Sequence, residues 1–438
     1  MKFSDIDRKE KKILFLIVLV ALGIRLFFMY SLDSYIIEND WDFGYETGRL
    51  AKAIATGEGF SSPFLYPTGP TALVPPLYPY LLALIFKLFG VYSTNAAIVT
   101  LAVNCLASAL TCLPLFFIGR FLFGREVGYI AAAIFAIHPS PIWYAINAIW
   151  DTTIFTFLSM ILIYWLLLLP ERLSYKNAAM FGVFTGFVIL MKSVIIAFYP
   201  FLLIWLFLKS PSPLKKKAVC IATICILSYA IMLPWLLRNY AVFGKFTFRS
   251  NFGLELRLEN CQETWDALES GAESNVFVRQ HPTINLGEFL LYKSLGEINY
   301  MNLCLDKAGT FIRENPEKYL KLTLRRICRF WIGDPLGKNE WAGNLGISFS
   351  ISGLKKLFLL APLPFMLIGI FMGIRRKISD ISAPVAYILF LPIVYYFTHV
   401  AARLRFPVEP VILLFAVYGF YSLIPVSIRE RFEKIFSS

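Results

Sequence analysis

Carboxylates placed where an apolar run meets a polar stretch are the first residues in this chain whose types and spacing could do chemistry. Asp40, Asp42 and Glu46 crowd the start of the stretch from Glu38 to Tyr80, ENDWDFGYETGRLAKAIATGEGFSSPFLYPTGPTALVPPLYPY, which lies between two long hydrophobic segments. A carboxylate at such a boundary can take a proton from a hydroxyl, and a position beside the bilayer suits a lipid-borne substrate. Asp42 and Glu46 are four apart and share a face if a helix begins early. A solvated loop, or for Asp40 a helix-start residue, accounts for the same acids without chemistry. Asp151, in SPIWYAINAIWDTTIF, stands at the end of another apolar run, either as an N-cap or as a further acid on the same face.

Cations in unexpected places complete the candidate set. Arg403 and Arg405, in THVAARLRFPVEP, lie beside the bilayer on the side where basic residues are otherwise scarce, and Lys192 sits in a tight connection on that side. An arginine fork matches phosphate oxygens, whereas a lone arginine at this depth can also snorkel to headgroups. Arg238 and Arg249 flank NYAVFGKFTF where the chain leaves the membrane. With Tyr45, Tyr78 and His399 they are the candidate substrate-binding side chains. His138 and His399 have no close second ligand in sequence, so they read as interfacial structure and the metal question stays open.

The elements that must position these residues follow from composition. Of 438 residues, 58% are hydrophobic and 16% charged, far too apolar for a soluble domain of this length. Apolar runs able to cross or nearly cross a ~30 Å core occur at 13–31, 94–118, 127–145, 151–169, 177–192, 194–209, 217–237, 353–374, 383–400 and 407–425. The net charge of +13 is concentrated in short loops such as GRFLFGRE, PERLSYK, KSPSPLKKK and RRKISD. These fall on one side throughout, which is the positive-inside pattern and argues against nucleic acid as a partner. Both termini are then cytoplasmic. The predicted fold is all-α and polytopic, with about ten transmembrane helices. Leu77–Phe89 is too short to span and carries Lys87, so it reads as an interfacial helix of the first outside loop. The predicted division is a transmembrane module over 1–237 with its outside loop at 32–93, a small, mostly helical outside segment over 238–352, and transmembrane helices over 353–438. The seven cysteines show no metal-type spacing, and the pairing of Cys261, Cys304 and Cys328 is not readable.

The segment FGYETGRLAKAIATGEGFSSPF…GPTALVPPLYPYLLALIFKLFGVYS resembles the first periplasmic loop of GT-C superfamily glycosyltransferases, in the family 39-like branch. RNYAVFGKFTFRSNFGLEL and RLRFPVEP are similar to later signatures of that branch, which includes the lipid A aminoarabinose transferase and the protein O-mannosyltransferases. The resemblance covers the membrane region end to end and is weakest over 255–350. It implies transfer of a sugar from a polyprenyl-phosphate carrier to a lipid, glycan or protein hydroxyl on the outer face of a bacterial-type inner membrane. Alignment on TGEGF puts Asp42 at the position of the first-loop catalytic aspartate. Glu46 falls where many relatives have an aromatic residue, and the choice among Asp40, Asp42 and Glu46 stays open. Asp151 matches a second outside acid. Leu73-Val74 stand before Pro75-Pro76 where some relatives carry a phosphate-binding lysine, which leaves that role to Lys192, Arg403 or Arg405. Metal use varies in the branch, so a divalent cation is left open. A lipid-linked sugar flippase, or a non-catalytic part of an envelope-polysaccharide assembly, is the rival reading.

Overall fold

The computed structural model describes residues 7–37, 39, 42–270, 276–333, 357–425 and 429; Asp40 lies outside them. Among the described residues the regular elements are helices, apart from one isolated antiparallel bridge between Ser61 and Pro70. The protein is an all-α polytopic membrane protein.

The helices fall where the apolar runs predict them. Five are long and apolar enough to cross a bilayer: Arg8–Ser31, Thr94–Phe123, Leu214–Phe243, Leu357–Arg375 and Ala402–Leu423. Arg125–Ile137 and Pro139–Asn147, bent by 47°, would make a sixth as one broken span. The other expected spans fall on the shorter apolar helices Thr152–Leu168, Tyr175–Met191, Tyr199–Lys209 and Ser382–Phe397. Burial separates centre from periphery: 83% of the Ala402–Leu423 window is buried against protein, but only 22% of Arg8–Ser31. Among the described residues Ala402–Leu423 is therefore the most enclosed of the spans, and Arg8–Ser31 presents most of its surface outward.

Two local devices hold the bundle. Gly182 and Gly186, one turn apart on Tyr175–Met191, let that helix lie against Leu214–Phe243. A Cβ at Gly182 would come within 2.8 Å of the Ile224 carbonyl oxygen, and one at Gly186 within 2.9 Å of that of Ser228. The second device repairs the broken span. Pro139 has no N–H to offer the carbonyl of Phe135, and the N–H of Ser140 turns instead to Nδ1 of His138. Arg25, fully buried in the first helix, fills the gap by donating to Ala136 O at 2.8 Å and Phe135 O at 3.4 Å, with Nε on Ser108 Oγ at 2.8 Å.

One end of the bundle carries the polar segments. Glu46–Ala55 packs on Leu77–Phe89, whose 13 residues span about 20 Å, short of a ~30 Å core. Beyond residue 243 the chain makes a cluster of helices: Phe252–Glu259, Gln262–Ser270, Val276–Gln280, Leu286–Leu295, Glu297–Glu314 and Pro316–Ile332.

Candidate functional site

A cavity of about 750 Å³ opens where the first loop, the ends of several apolar helices and the 244–333 segment meet. Its wall includes Tyr45, Glu46, Tyr78, Asp151, Lys192, Arg249, His399 and Arg403 from the expected set. Asp42, Arg238 and Arg405 are not in that wall.

The first-loop acids separate because the helix starts at Glu46. Gly44 and Tyr45 both have positive φ, +89° and +54°, so the backbone breaks immediately before the helix. A Cβ at Gly44 would meet the carbonyl of Ile149, so only glycine fits there. Asp42 therefore lies outside the helix, exposed, with Asn39 Nδ2 at 3.5 Å, and does not share a face with Glu46. Glu46 points into the cavity, where its Oε1 accepts from the Thr283 hydroxyl at 2.7 Å.

Asp151 precedes the Thr152–Leu168 helix but its side chain caps no backbone N–H. It instead accepts from Lys192 Nζ at 2.7 Å, with the lysine only 12% and the aspartate 23% exposed. That pairing sets a carboxylate against a largely buried amine next to the cavity.

Arg403 and Arg405 diverge. Both lie in the four-residue helix Ala402–Arg405, where positions two apart point to different sides. The Arg403 guanidinium rests on Trp150, 4.6 Å from the ring centroid, and 6.0 Å from that of Tyr45. Those two rings are themselves stacked at 5.7 Å. Among the described residues Arg403 pairs with no carboxylate. Arg405 is 3% exposed and is used up by Glu409 at 3.2 Å and the carbonyls of Trp331 and Leu359 at 3.0 and 3.1 Å. Of the two arginines expected as candidates for a donor phosphate, Arg403 reaches the cavity and Arg405 does not.

Arg238 and Arg249 hold the cavity wall, not open space. Arg238 donates to Thr71 O at 2.6 Å and Phe60 O at 2.7 Å, and Arg249 to Leu73 O at 3.0 Å. Glu297 accepts from the Thr71 hydroxyl, from Ala72 N at 2.7 Å and from Tyr292 Oη at 2.7 Å. The Thr71–Leu73 strand of chain is thus gripped from both sides, and Leu73, Val74 and Pro75 line the cavity behind it. Arg249 also reaches Glu255 at 3.8 Å and keeps one edge on the cavity.

Residues that sequence reasoning passed over sit opposite. His281 lines the cavity, buried, its ring stacked on Phe277 at 4.4 Å and its Nδ1 accepting from Thr283 N at 3.1 Å. Burial pushes His281 below the ordinary histidine value, although Glu46 and Glu255 pull the other way. His399 Nδ1 lies 2.8 Å from Glu259 Oε1. Burial opposes the charge on Glu259, but His399, Arg326 and Arg329 together hold its carboxyl below the ordinary value. Nothing in the spacing marks His281 or Thr283, since both lie more than two hundred residues from Glu46. Among the described residues no three of His, Cys, Asp and Glu cluster in a way that would hold a metal ion. All seven cysteines are free thiols.

The helical architecture, with its site at one end of the bundle, has close counterparts. The archaeal oligosaccharyltransferase AglB from Archaeoglobus fulgidus, solved with an inhibitory peptide and a dolichol-phosphate, superposes with a TM-score of 0.56 at 16% identity. The match covers 94% of this chain and 50% of that one. A second crystal structure of the Archaeoglobus fulgidus oligosaccharyltransferase, with Zn and sulfate, also gives 0.56, at 15% identity over 96% of this chain. The chain shares the fold of this archaeal oligosaccharyltransferase over nearly its whole length.

At sequence level a match begins at Leu73, after most of the first-loop segment on which the resemblance was read. The family model described as dolichyl-phosphate-mannose-protein mannosyltransferase matches residues 73–237, less than half of the chain. ArnT from Cupriavidus metallidurans, bound to undecaprenyl phosphate, aligns at 13% identity and a TM-score of 0.39, over 93% of this chain and 78% of its own. No curated protein matches by sequence. The chain spans about half the length of the oligosaccharyltransferase whose fold it shares.

Proposed function

We propose that this protein is a membrane glycosyltransferase that moves a sugar from a polyprenyl-phosphate donor to an acceptor hydroxyl within the cavity. The observation that carries the reading is a single cavity with Glu46 on its first-loop wall and Arg403 held against Trp150, each without an ion-pair partner among the described residues. A carboxylate that is not neutralised can act as a base, and a cation that is not neutralised can receive a leaving phosphate.

In this reaction Glu46 takes the proton of the acceptor hydroxyl as its oxygen attacks the anomeric carbon. The bond from that carbon to the phosphate oxygen breaks, and its electron pair leaves with the polyprenyl phosphate. Arg403 receives the phosphate, with Lys192 and Arg249 close by. Displacement in one step inverts the anomeric centre. Asp151 holds Lys192 in place. Glu46 takes the role expected first of Asp42, because Asp42 is exposed outside the cavity. The site faces the outer side of a bacterial-type inner membrane, on the positive-inside reading of the basic loops.

The family match over residues 73–237 and the fold shared with the oligosaccharyltransferase support this reading. The test is transfer by purified protein in liposomes, supplied with a polyprenyl-phosphate-linked labelled sugar and a lipid and glycan extract as acceptor. Labelled product that disappears in Glu46→Gln supports the proposal. Movement of intact donor across the liposome with no labelled product would replace it with the flippase reading.

A further inference from the structure

His399 lines the cavity, and the proposed reaction gives it no task. It lies in the connection between the apolar helix Ser382–Phe397 and the short helix Ala402–Arg405, and Thr398, Ala401 and Arg403 line the cavity beside it in the chain. Its Nδ1 lies 2.8 Å from Oε1 of Glu259, a residue outside the cavity wall. Against the cost of burial, His399, Arg326 and Arg329 keep Glu259 a carboxylate, so the proton of that contact sits on Nδ1. Nε2 is left on the far side of the ring, with no hydrogen-bond partner among the described residues, in a side chain 32% exposed.

A buried arginine fixes this pair from behind. Arg326, 3% exposed, donates to Glu259 O at 2.8 Å, to Asn260 Oδ1 at 3.0 Å and to Tyr396 O at 2.7 Å. Asn260 Nδ2 donates in turn to Phe397 O at 3.2 Å. The backbone that carries Glu259 and the backbone that leads into His399 are thus tied to one guanidinium, and carboxylate and ring keep their register. A carboxylate that orients one nitrogen of an imidazole and favours its charged form, with the other nitrogen open to a cavity, makes a proton donor. Four residues of chain put the Cα atoms of His399 and Arg403 at most about 14 Å apart, so the ring and the guanidinium that receives the phosphate belong to one part of the wall.

We propose that His399 is the general acid of the transfer reaction: its Nε2–H meets the phosphate that Arg403 holds and passes its proton to the leaving oxygen. The proposal rests on the glycosyl-transfer reading of the cavity and adds the second proton to it. As the bond from the anomeric carbon breaks, its electron pair stays on the phosphate oxygen, which takes the proton and leaves as the monoanion. His399 is left neutral against Glu259, and Glu46 carries the proton of the acceptor. Water returns one proton to His399 and takes the other from Glu46 before the next turnover, so protons and charge balance. Glu46 and His399 thus divide the base and acid roles.

The test is the rate of transfer against pH, by the full chain in liposomes supplied with a polyprenyl-phosphate-linked labelled sugar and a lipid and glycan extract. Glu259 and His281 act on His399 electrostatically, with Arg326 and Arg329 acting on Glu259 behind it. His399→Asn keeps a donor for Glu259 and removes Nε2. Its kcat is expected to fall about 10²–10⁴-fold with donor KM and unfolding temperature little changed, and the alkaline fall of the parent's rate should disappear. Glu259→Gln keeps the bond to Nδ1 without the charge, so the alkaline fall should begin at lower pH while the rate on its acid side is kept. His281→Gln should retain an alkaline fall. Parent-like kcat in His399→Asn, an alkaline fall unmoved in Glu259→Gln, or one lost only in His281→Gln would each overturn the proposal and leave the transfer reading standing. No labelled product from the parent would overturn that reading, and this proposal with it.

Discussion

Arg403 and Arg405 are two residues apart and do opposite work: one lies on the Trp150 ring at the cavity, the other is sealed in protein against Glu409. A single turn of helix separates a surface able to meet a phosphate from a buried ion pair. Replacing each should therefore fail in a different assay.

Arg403→Gln is expected to leave thermal unfolding unchanged and to weaken binding of undecaprenyl phosphate about 10- to 100-fold. That is the size of losing one charge-assisted hydrogen bond, about 1.5–3 kcal/mol. Arg403→Lys should recover little, because an ammonium lacks the flat fork and stacks poorly on Trp150. Unchanged lipid binding in both variants removes Arg403 from the site.

Arg405→Met leaves the Glu409 carboxylate buried without its cation and two carbonyls without a donor. The expected cost is about 3–5 kcal/mol of stability, read as a lowered unfolding temperature in detergent. Arg405→Met combined with Glu409→Leu should regain most of it. A double variant as unstable as the single one would show that the pair is not what Arg405 supplies.

Glu46→Gln should slow sugar transfer about 10²–10⁴-fold while donor binding survives, the usual scale for a lost general base. Asp42→Asn, at an exposed position beyond the cavity, should transfer at close to the parent rate. Reversal of these two results would return the catalytic role to Asp42.

Thr283→Val removes the hydroxyl that fixes Glu46 at the cavity wall. We expect transfer to fall roughly 3- to 10-fold, matching a neutral hydrogen bond of about 0.5–1.5 kcal/mol, with donor KM unchanged and Thr283→Ser restoring the rate. Equal rates in the valine and serine variants would mean that the contact positions nothing.

Acid should loosen the wall opposite Glu46. His281 is buried and its folded value lies below the ordinary 6.5, so the unfolded chain binds the proton more readily than the folded one. Stability contributed at this position is then present above pH 6.5 and falls as pH drops below it. Hydrogen exchange across 276–285 should accelerate below about pH 6.5, and His281→Gln should flatten that dependence. Glu259, held below its ordinary 4.5, adds its own loss only at lower pH.

What the sequence made legible depended on whether one residue could be judged without its neighbours in space. Arg403 and Lys192 were visible because a cation on the sparsely charged side of a membrane protein breaks a pattern that one chain is enough to reveal. The apolar runs gave the helices for the same reason. Arg405 was indistinguishable from Arg403, because its direction depends on the turn of a four-residue helix that no periodicity reports. Whether Asp42 shares a helix face with Glu46 turned on where the helix starts, and the positive φ of Gly44 and Tyr45 decides that. Thr283 was out of reach, since its meeting with Glu46 depends on how a whole polar segment docks.

The grip on Thr71–Leu73 has a consequence for the order in which the molecule can be made. That strand emerges early, yet the groups that hold it, Arg238, Arg249 and Glu297, belong to chain synthesised much later. Arg403 arrives later still. A ribosome-bound chain can thus have most of its helices inserted while one wall of the cavity still lacks its clamp. The cations and carboxylates of the cavity wall are all in place only after residue 403 has been made, so a copy that stops before it would insert its earlier helices around an incomplete wall.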